Sequence, residues 1–103
     1  MQYQLVLQVP ADSLEGFDAL LEFEDRLISE LAGAGDVDGH DFGSGEINFF
    51  IITANPNLAF ERCVDLLSHV GLLHHVVAAY RSLNSDEYSV VWPKTFHGEF
   101  NVA

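Results

Sequence analysis

The chain is poor in basic residues. Among its 103 residues, 16 aspartates and glutamates outnumber four lysines and arginines, which gives a formal net charge of -12 and a pI near 4.4. The four basic residues are scattered along the chain, as Arg26, Arg62, Arg81 and Lys94. Nucleic-acid binding requires clustered basic groups that displace counterions from phosphates. We therefore predict no nucleic-acid partner, and the same charge disfavours acidic membrane surfaces.

Cysteine and long apolar runs are also scarce. Cys63 is the only cysteine, so no internal disulfide can form, which excludes the disulfide-stapled secreted class and favours a reducing compartment. No stretch approaches the roughly 20 apolar residues of a membrane span. The N-terminus has no basic region before a short apolar run, unlike a signal peptide. The sequence predicts a cytoplasmic protein without a membrane segment.

Hydrophobic periodicity and turn residues define the predicted elements. Strands are predicted over 3–9, 36–42, 46–53, 75–83 and 88–92, and helices over 13–31 and 55–70. This order is the ferredoxin-like βαββαβ pattern of an α+β domain, followed by an extra C-terminal strand. Right-handed crossovers predict an antiparallel sheet of order 4-1-3-2 with both helices on one face. We expect a single domain over residues 1–93 and a tail over 94–103.

A glycine-rich stretch precedes the third predicted strand. Gly43-Ser44-Gly45 is no phosphate-binding loop, because no lysine follows and the nearby acids would repel phosphate. A tight β-hairpin turn accounts for these glycines. His40, beside Asp38 and Asp41, is a candidate metal ligand or general base. The other histidines near a strand start would lie on the opposite sheet edge, roughly 14 Å away. We therefore predict no metal and no cofactor.

Glu24 interrupts the apolar face of the first predicted helix. That face consists of Phe17, Leu20, Leu21, Leu27, Ile28 and Leu31, and Glu24 falls near its middle. A carboxylate in this position needs a hydrogen-bond partner, for which the sequence offers His40, Asn48, Tyr80 and Ser82. A structural hydrogen bond, or a slightly rotated helix, is the alternative to a catalytic role for Glu24 with His40.

The outer face of the same helix is crowded with acids. Glu15, Asp18, Glu22, Asp25 and Glu30 lie there, and only Arg26 opposes these five acids. The first four are the expected contacts of a basic partner. Like charges at this spacing destabilise a helix slightly. The face is either a solvated surface or the docking surface for a basic protein partner.

The sheet face without helices is predicted to be apolar. If the odd-numbered strand residues face the core, Val6, Phe50 and Ile52 lie together on the other face. Monomers rarely expose such a patch. We therefore predict a homodimer that buries these three residues.

One run of sequence carries a resemblance. Residues 37–53 read VDGHDFGSGEINFFIIT and precede a helix with Phe and Glu and a strand with the sequence AYR, before VVWP. Over about residues 3–93 the chain resembles a small uncharacterised bacterial family with a VDGHDxGSGExNxFIxT-type run. The resemblance implies the ferredoxin-like fold and supplies no activity or catalytic residues.

Three functional classes are compatible with these features. The first is a protein-binding module, such as an inhibitory, immunity-like protein. The second is a ligand-sensing regulatory domain that binds a small molecule at a dimer interface. The third is an enzyme that uses Glu24 and His40, which would require both side chains in one pocket. We rank them in this order.

Overall fold

The computed structural model describes residues 1–102, which form two helices and five strands. The elements are β1 (Tyr3–Pro10), a 3₁₀ turn (Ala11–Ser13), α1 (Phe17–Glu30), β2 (Asp36–Gly43), β3 (Glu46–Thr53), α2 (Pro56–His69), β4 (Val77–Ser82) and β5 (Ser89–Trp92). All the predicted strands and both helices are therefore present, with shifts at their ends.

The five strands make one antiparallel sheet in the order β2-β3-β1-β4-β5. β1 lies in the middle, where Leu5 pairs with Ile51 of β3 on one side and with Tyr80 of β4 on the other. The α+β architecture is as predicted. Read from the other edge, the order is β5-β4-β1-β3-β2, so the first four strands follow 4-1-3-2 and β5 extends the sheet at the β4 edge.

Both helices pack on the same face of the sheet. Side chains alternate along a strand, so the odd-numbered residues of β1 and β3 share one face. These residues form a single buried cluster with apolar residues of both helices: Leu5, Leu7, Val9, Ile47, Phe49, Ile51, Leu20, Phe23, Leu27, Phe60, Cys63 and Leu67 are among its members.

The buried face of α1 differs from the predicted one. Leu20, Phe23 and Leu27 are buried at the helical spacing that faces the sheet. Phe17 and Ile28, which the sequence placed in the core, are exposed, as is Leu21. The sheet buries only part of a wide apolar arc, so the helix is rotated towards Phe23.

α2 follows its prediction closely. The Asn55 side-chain oxygen accepts a hydrogen bond from the Leu58 N–H at 3.1 Å, and Pro56 occupies the first helical turn. Phe60, Cys63 and Leu67 are buried as expected, whereas Val70 is exposed. Neither helix within residues 1–102 has the length and apolar character needed to cross a membrane.

The glycine-rich stretch is a hairpin turn, as predicted. β2 ends at Gly43 and β3 begins at Glu46, so Ser44 and Gly45 alone make the loop. Both have positive φ, 51° at Ser44 and 79° at Gly45, which is the pattern of a type I′ turn. The pairing of β2 with β3 has a register shift between Val37 and Gly39.

The chain after β5 crosses the face of the sheet that has no helices. Phe100 joins Val6 and Ala79 in a second apolar cluster, against which Phe96 and Val102 pack. The sequence placed these last residues in a tail after the domain. Because Val6 is fully buried in the single chain, it is not available to the dimer interface predicted with Phe50 and Ile52, both of which are half-buried.

Candidate functional site

Glu24 and His40 meet between α1 and the edge strand β2. The Nδ1–H of His40 donates to Glu24 Oε2 at 2.9 Å. The side chains are 17% exposed at Glu24 and 21% exposed at His40. Of the four partners that the sequence offered to Glu24, His40 is the one that it contacts. The contact fixes the first helix over the outermost strand on this side of the sheet.

A histidine held at Nδ1 by a carboxylate has an oriented ring and a free Nε2, as in many general bases. The described neighbours of His40, however, are aromatic. Its ring lies edge-on to Phe42 at 6.0 Å and tilted against Phe49 at 6.1 Å. Five clefts within residues 1–102 are lined by other side chains. The hydrogen bond between His40 and Glu24 joins β2 to α1.

The acids beside His40 do not converge on it. Asp41 lies on the opposite face of the sheet, where its Oδ1 accepts a hydrogen bond from Asn48 Nδ2 at 3.1 Å. Asp38 is exposed at the register shift. Within residues 1–102, no three His, Cys, Asp or Glu side chains are grouped so as to hold a metal ion.

The four acids predicted to bind a partner are all exposed. Asp18, Glu22 and Asp25 lie on α1, and Glu15 lies just before it. No lysine or arginine nitrogen in the described part of the chain lies within 4.0 Å of their carboxylate oxygens, so Arg26 forms no direct salt bridge with these acids. We call Glu15, Asp18, Glu22 and Asp25 the acidic face.

Next to the acidic face lies an exposed apolar surface, and three of its residues, Phe17, Leu21 and Ile28, belong to the helix face that was predicted to be buried. Phe17 is 63% exposed and Ile28 is 53% exposed, and Leu21 lies between them on the same side of α1. Phe42 of β2 is 58% exposed and lines a cleft together with Phe17. We call Phe17, Leu21, Ile28 and Phe42 the apolar flank.

The helical repeat fixes how these surfaces adjoin. At about 100° per residue, α1 carries a core-facing stripe, then the apolar flank, then the acidic face. Glu24 lies at the border between the core and the flank, where it reaches His40. Asp18 and Asp25 border the flank on its outer side. An exposed apolar surface rimmed by charge is typical of a protein interaction site.

A signal for the flank exists in the sequence. From Phe23 to Leu21 the apolar side chains of α1 cover an arc of about 160° on a helical projection. A helix that lies on one sheet buries a stripe closer to about 100° wide. The excess predicts an apolar surface beyond the core, although it does not tell which border of the arc is left exposed.

Two further clefts lie on other parts of the molecule. One, of about 550 Å³, lies between α2 and β5 and is lined by Phe60, Tyr80, Trp92 and Lys94, among others. The other, of about 690 Å³, lies between the end of the chain and β4–β5, where Arg81 is accompanied by acids. Neither cleft includes Glu24 or His40.

Comparison with known proteins gave no match for this chain, whether with protein-family models, with curated proteins or with solved structures.

Proposed function

We propose that this protein is a protein-binding module of the inhibitory, immunity-like kind, built on a variant of the ferredoxin-like fold. Its partner is basic where it meets α1. The observation that carries the proposal is the acidic face, whose four exposed carboxylates form no salt bridge with a lysine or arginine in the described chain. The sequence resemblance to a small bacterial family is part of the same proposal and adds no activity.

The charge of the acidic face favours association with a basic surface. Carboxylates that crowd one side of a helix repel each other, and an opposite charge on a partner relieves that repulsion. Complementary charge acts mainly on the rate of encounter and is screened by salt. The acidic face therefore steers a basic surface towards α1.

The proposal is tested with the partner obtained by cross-linking in the native host. Its association rate with the full chain is measured while salt rises from low to physiological concentration, and the rate should fall. The double substitution Glu22→Lys, Asp25→Lys should slow association by about tenfold at low salt. Circular dichroism checks that the fold is intact.

A matched control separates a local effect from net charge. Glu61→Lys with Asp65→Lys makes the same charge change on the exposed side of α2. The proposal requires the α1 pair to slow association much more than the α2 pair. Equal effects, or no effect from either pair, would mean that the acidic face serves solubility alone.

A ligand-sensing domain is the second candidate function. The aromatic cleft between α2 and β5 favours it, because Phe60 and Trp92, whose ring centroids are 6.1 Å apart, form its wall beside Tyr80. Small-molecule sites are mostly apolar clefts with a few polar groups. A small molecule that binds there should raise the melting temperature of the full chain but not that of Trp92→Ala.

We also propose a homodimer, through a smaller surface than the three residues predicted from the sequence. Val6 is covered by Phe100 in the single chain, so self-association would use the half-buried Phe50 and Ile52. Light scattering that shows only monomer at high micromolar concentration would refute the homodimer and leave the proposed docking function standing.

A further inference from the structure

We infer that the apolar flank of α1 and β2 is the contact that holds the partner, and that its occupant is an amphipathic helix whose apolar stripe is bordered by lysine or arginine. The inference rests on the proposed docking function and deepens it. The acidic face brings the partner in, and the flank keeps it bound.

The side chains of the apolar flank are exposed to solvent. Three apolar side chains of α1 are buried against the sheet: Leu20, Phe23 and Leu27. Phe17, Leu21 and Ile28 project beside them, away from the core. Phe42 continues the surface onto the edge strand. The flank thus spans two elements and is larger than a single exposed side chain.

Size and shape fit a short helix. Phe17 and Ile28 are eleven residues apart on α1, so the flank runs along the helix for about 16 Å. That is the length of about three turns of a partner helix, which would present apolar side chains at helical spacing. The cleft of about 240 Å³ between Phe17 and Phe42 would receive the end of that stripe.

Charge selects the kind of occupant. Asp18 and Asp25 border the flank along its outer side and are exposed. A second copy of this chain, docked through the same flank, would place its own Asp18 and Asp25 near these acids. Like charges across an interface disfavour association. A partner with lysine or arginine beside its apolar stripe would be attracted to Asp18 and Asp25.

The backbone edge of β2 is a less suitable docking element. Its register shift lies between Val37 and Gly39, and Asp36 and Asp38 are exposed there. Bulges and charges of this kind keep edge strands from pairing with other chains. The partner helix therefore lies against side chains of the flank.

The two surfaces divide the kinetics of binding. Rim charges mainly change the association rate, whereas buried apolar contacts mainly change the dissociation rate. Substitutions in the flank should shorten the lifetime of the complex and leave the salt dependence of association unchanged.

Three synthetic helical peptides of equal length probe the flank of the full chain. The first carries leucine on one side and lysine along its borders; the second has glutamine in place of leucine; the third has glutamate in place of lysine. Titrations are followed by heteronuclear NMR. The Lys/Leu peptide should shift the amides of residues 17–28 and of Phe42, and bind at least about tenfold more tightly than either of the others.

Variants of the protein identify the contact. Leu21→Gln with Ile28→Gln should weaken binding of the Lys/Leu peptide by about tenfold or more. Leu58→Gln with Val90→Gln, which changes exposed apolar residues on other surfaces, should leave affinity unchanged. Because all four residues are exposed, the variants are expected to fold, and their amide spectra verify this.

The alternative outcomes point to different failures. Equal binding of the Lys/Leu and Lys/Gln peptides at α1 would overturn the flank and leave the proposed function standing. Binding of the Glu/Leu peptide as tight as that of the Lys/Leu peptide would overturn the basic partner. If neither basic peptide shifts α1, both proposals fail. Self-association of the full chain that Leu21→Gln with Ile28→Gln abolishes would make a second copy the occupant.

Discussion

Glu24 and His40 form a hydrogen bond at the border between the core and the apolar flank, where each side chain needs a polar partner. A half-buried carboxylate without a partner loses hydration that nothing replaces. His40 of β2 pairs with the core residue Phe49 of β3, so its side chain lies on the helix-covered face of the sheet. From there it reaches Glu24 of α1. The hydrogen bond therefore links α1 to the edge strand β2.

The first prediction concerns this bond. Glu24→Gln should keep the free energy of unfolding within about 0.5 kcal/mol of the wild type, because the amide oxygen still accepts from His40. Glu24→Leu should cost about 1–2 kcal/mol, because Nδ1 of His40 loses its partner. Urea denaturation followed by circular dichroism gives both values.

Glu22→Leu is the matched control for Glu24→Leu. Glu22 lies on the same helix but is exposed and makes no side-chain hydrogen bond in the described chain. If Glu24→Leu costs no more than Glu22→Leu, the bond contributes nothing to stability.

Cys63 supports a second prediction at the residue scale. Burial, with a smaller contribution from the negative charge of Glu30, raises the pKa of its thiol from 9.0 to about 12. That rise lowers the thiolate fraction about a thousandfold near neutral pH. A thiol-specific reagent at about pH 8 should therefore modify the folded chain far more slowly than the denatured chain. Fast labelling of the folded chain would mean that α2 opens frequently.

The sign of the pH effect follows from the same rise. The folded state favours the neutral thiol, so this contribution to stability is complete below about pH 9 and is lost as pH increases towards 12. Cys63→Ala should remove that part of the alkaline loss, as denaturation at a series of alkaline pH values would show.

At the scale of elements, the β2–β3 hairpin depends on two residues. Gly45 has a φ of 79° and open space around an added Cβ, so Gly45→Ala costs backbone strain alone, about 1 kcal/mol. Ser44→Asn should stabilise by a few tenths of a kcal/mol, because asparagine tolerates positive φ and Asn-Gly is the preferred type I′ pair. Thermal denaturation measures both.

Gly43→Ala is the control for the turn. Gly43 closes β2 without a positive φ, so alanine there introduces no positive-φ strain. If Gly43→Ala and Gly45→Ala cost the same, the loss at Gly45 does not come from its backbone conformation.

The two helices differ in how well the sequence pattern predicted their buried faces. α2 carries its cap, its proline and an apolar stripe that matches one sheet-facing side, so its limits and face were predictable. α1 carries a wider arc, and which part of it is buried depends on where the sheet lies. The pattern placed Glu24 mid-stripe, and the rotation towards Phe23 moved it to the border, within reach of His40.

At the scale of the whole molecule, the sheet is covered on both faces. The helices cover one, and the segment after β5 covers Val6 and Ala79 on the other. Gln8 joins this layer, since its Nε2 donates to the backbone oxygen of Asn101 at 2.9 Å and to Asn48 Oδ1 at 3.0 Å. Local patterns could not predict this, because the segment has no strand or helix periodicity and its contacts with Val6, Gln8 and Ala79 join residues far apart in the sequence.

Phe100 tests the importance of the second layer. Phe100→Ala should cost about 2–4 kcal/mol, because a buried ring is lost from between Val6 and Ala79. Phe42→Ala removes the same ring from an exposed site and should cost less than about 0.5 kcal/mol. Chemical denaturation compares the two.

Self-association offers a second readout for the same layer. A chain that ends at Pro93 would expose Val6 and Ala79 and should sediment as larger species than the full chain. If Phe100→Ala costs no more than Phe42→Ala, and the shortened chain sediments unchanged, the segment does not cover the sheet in solution.

The central position of β1 has a consequence for time rather than for structure. Its neighbours, β3 and β4, come from the middle and the last third of the chain, so each pairing must close a long loop. The β2–β3 hairpin closes with two residues and should form early. We expect Gly45→Ala to slow folding and Phe100→Ala mainly to speed unfolding, and stopped-flow measurements in denaturant separate the two rates. The lifetime of the native protein would then be set by the strands and the covering segment that join last.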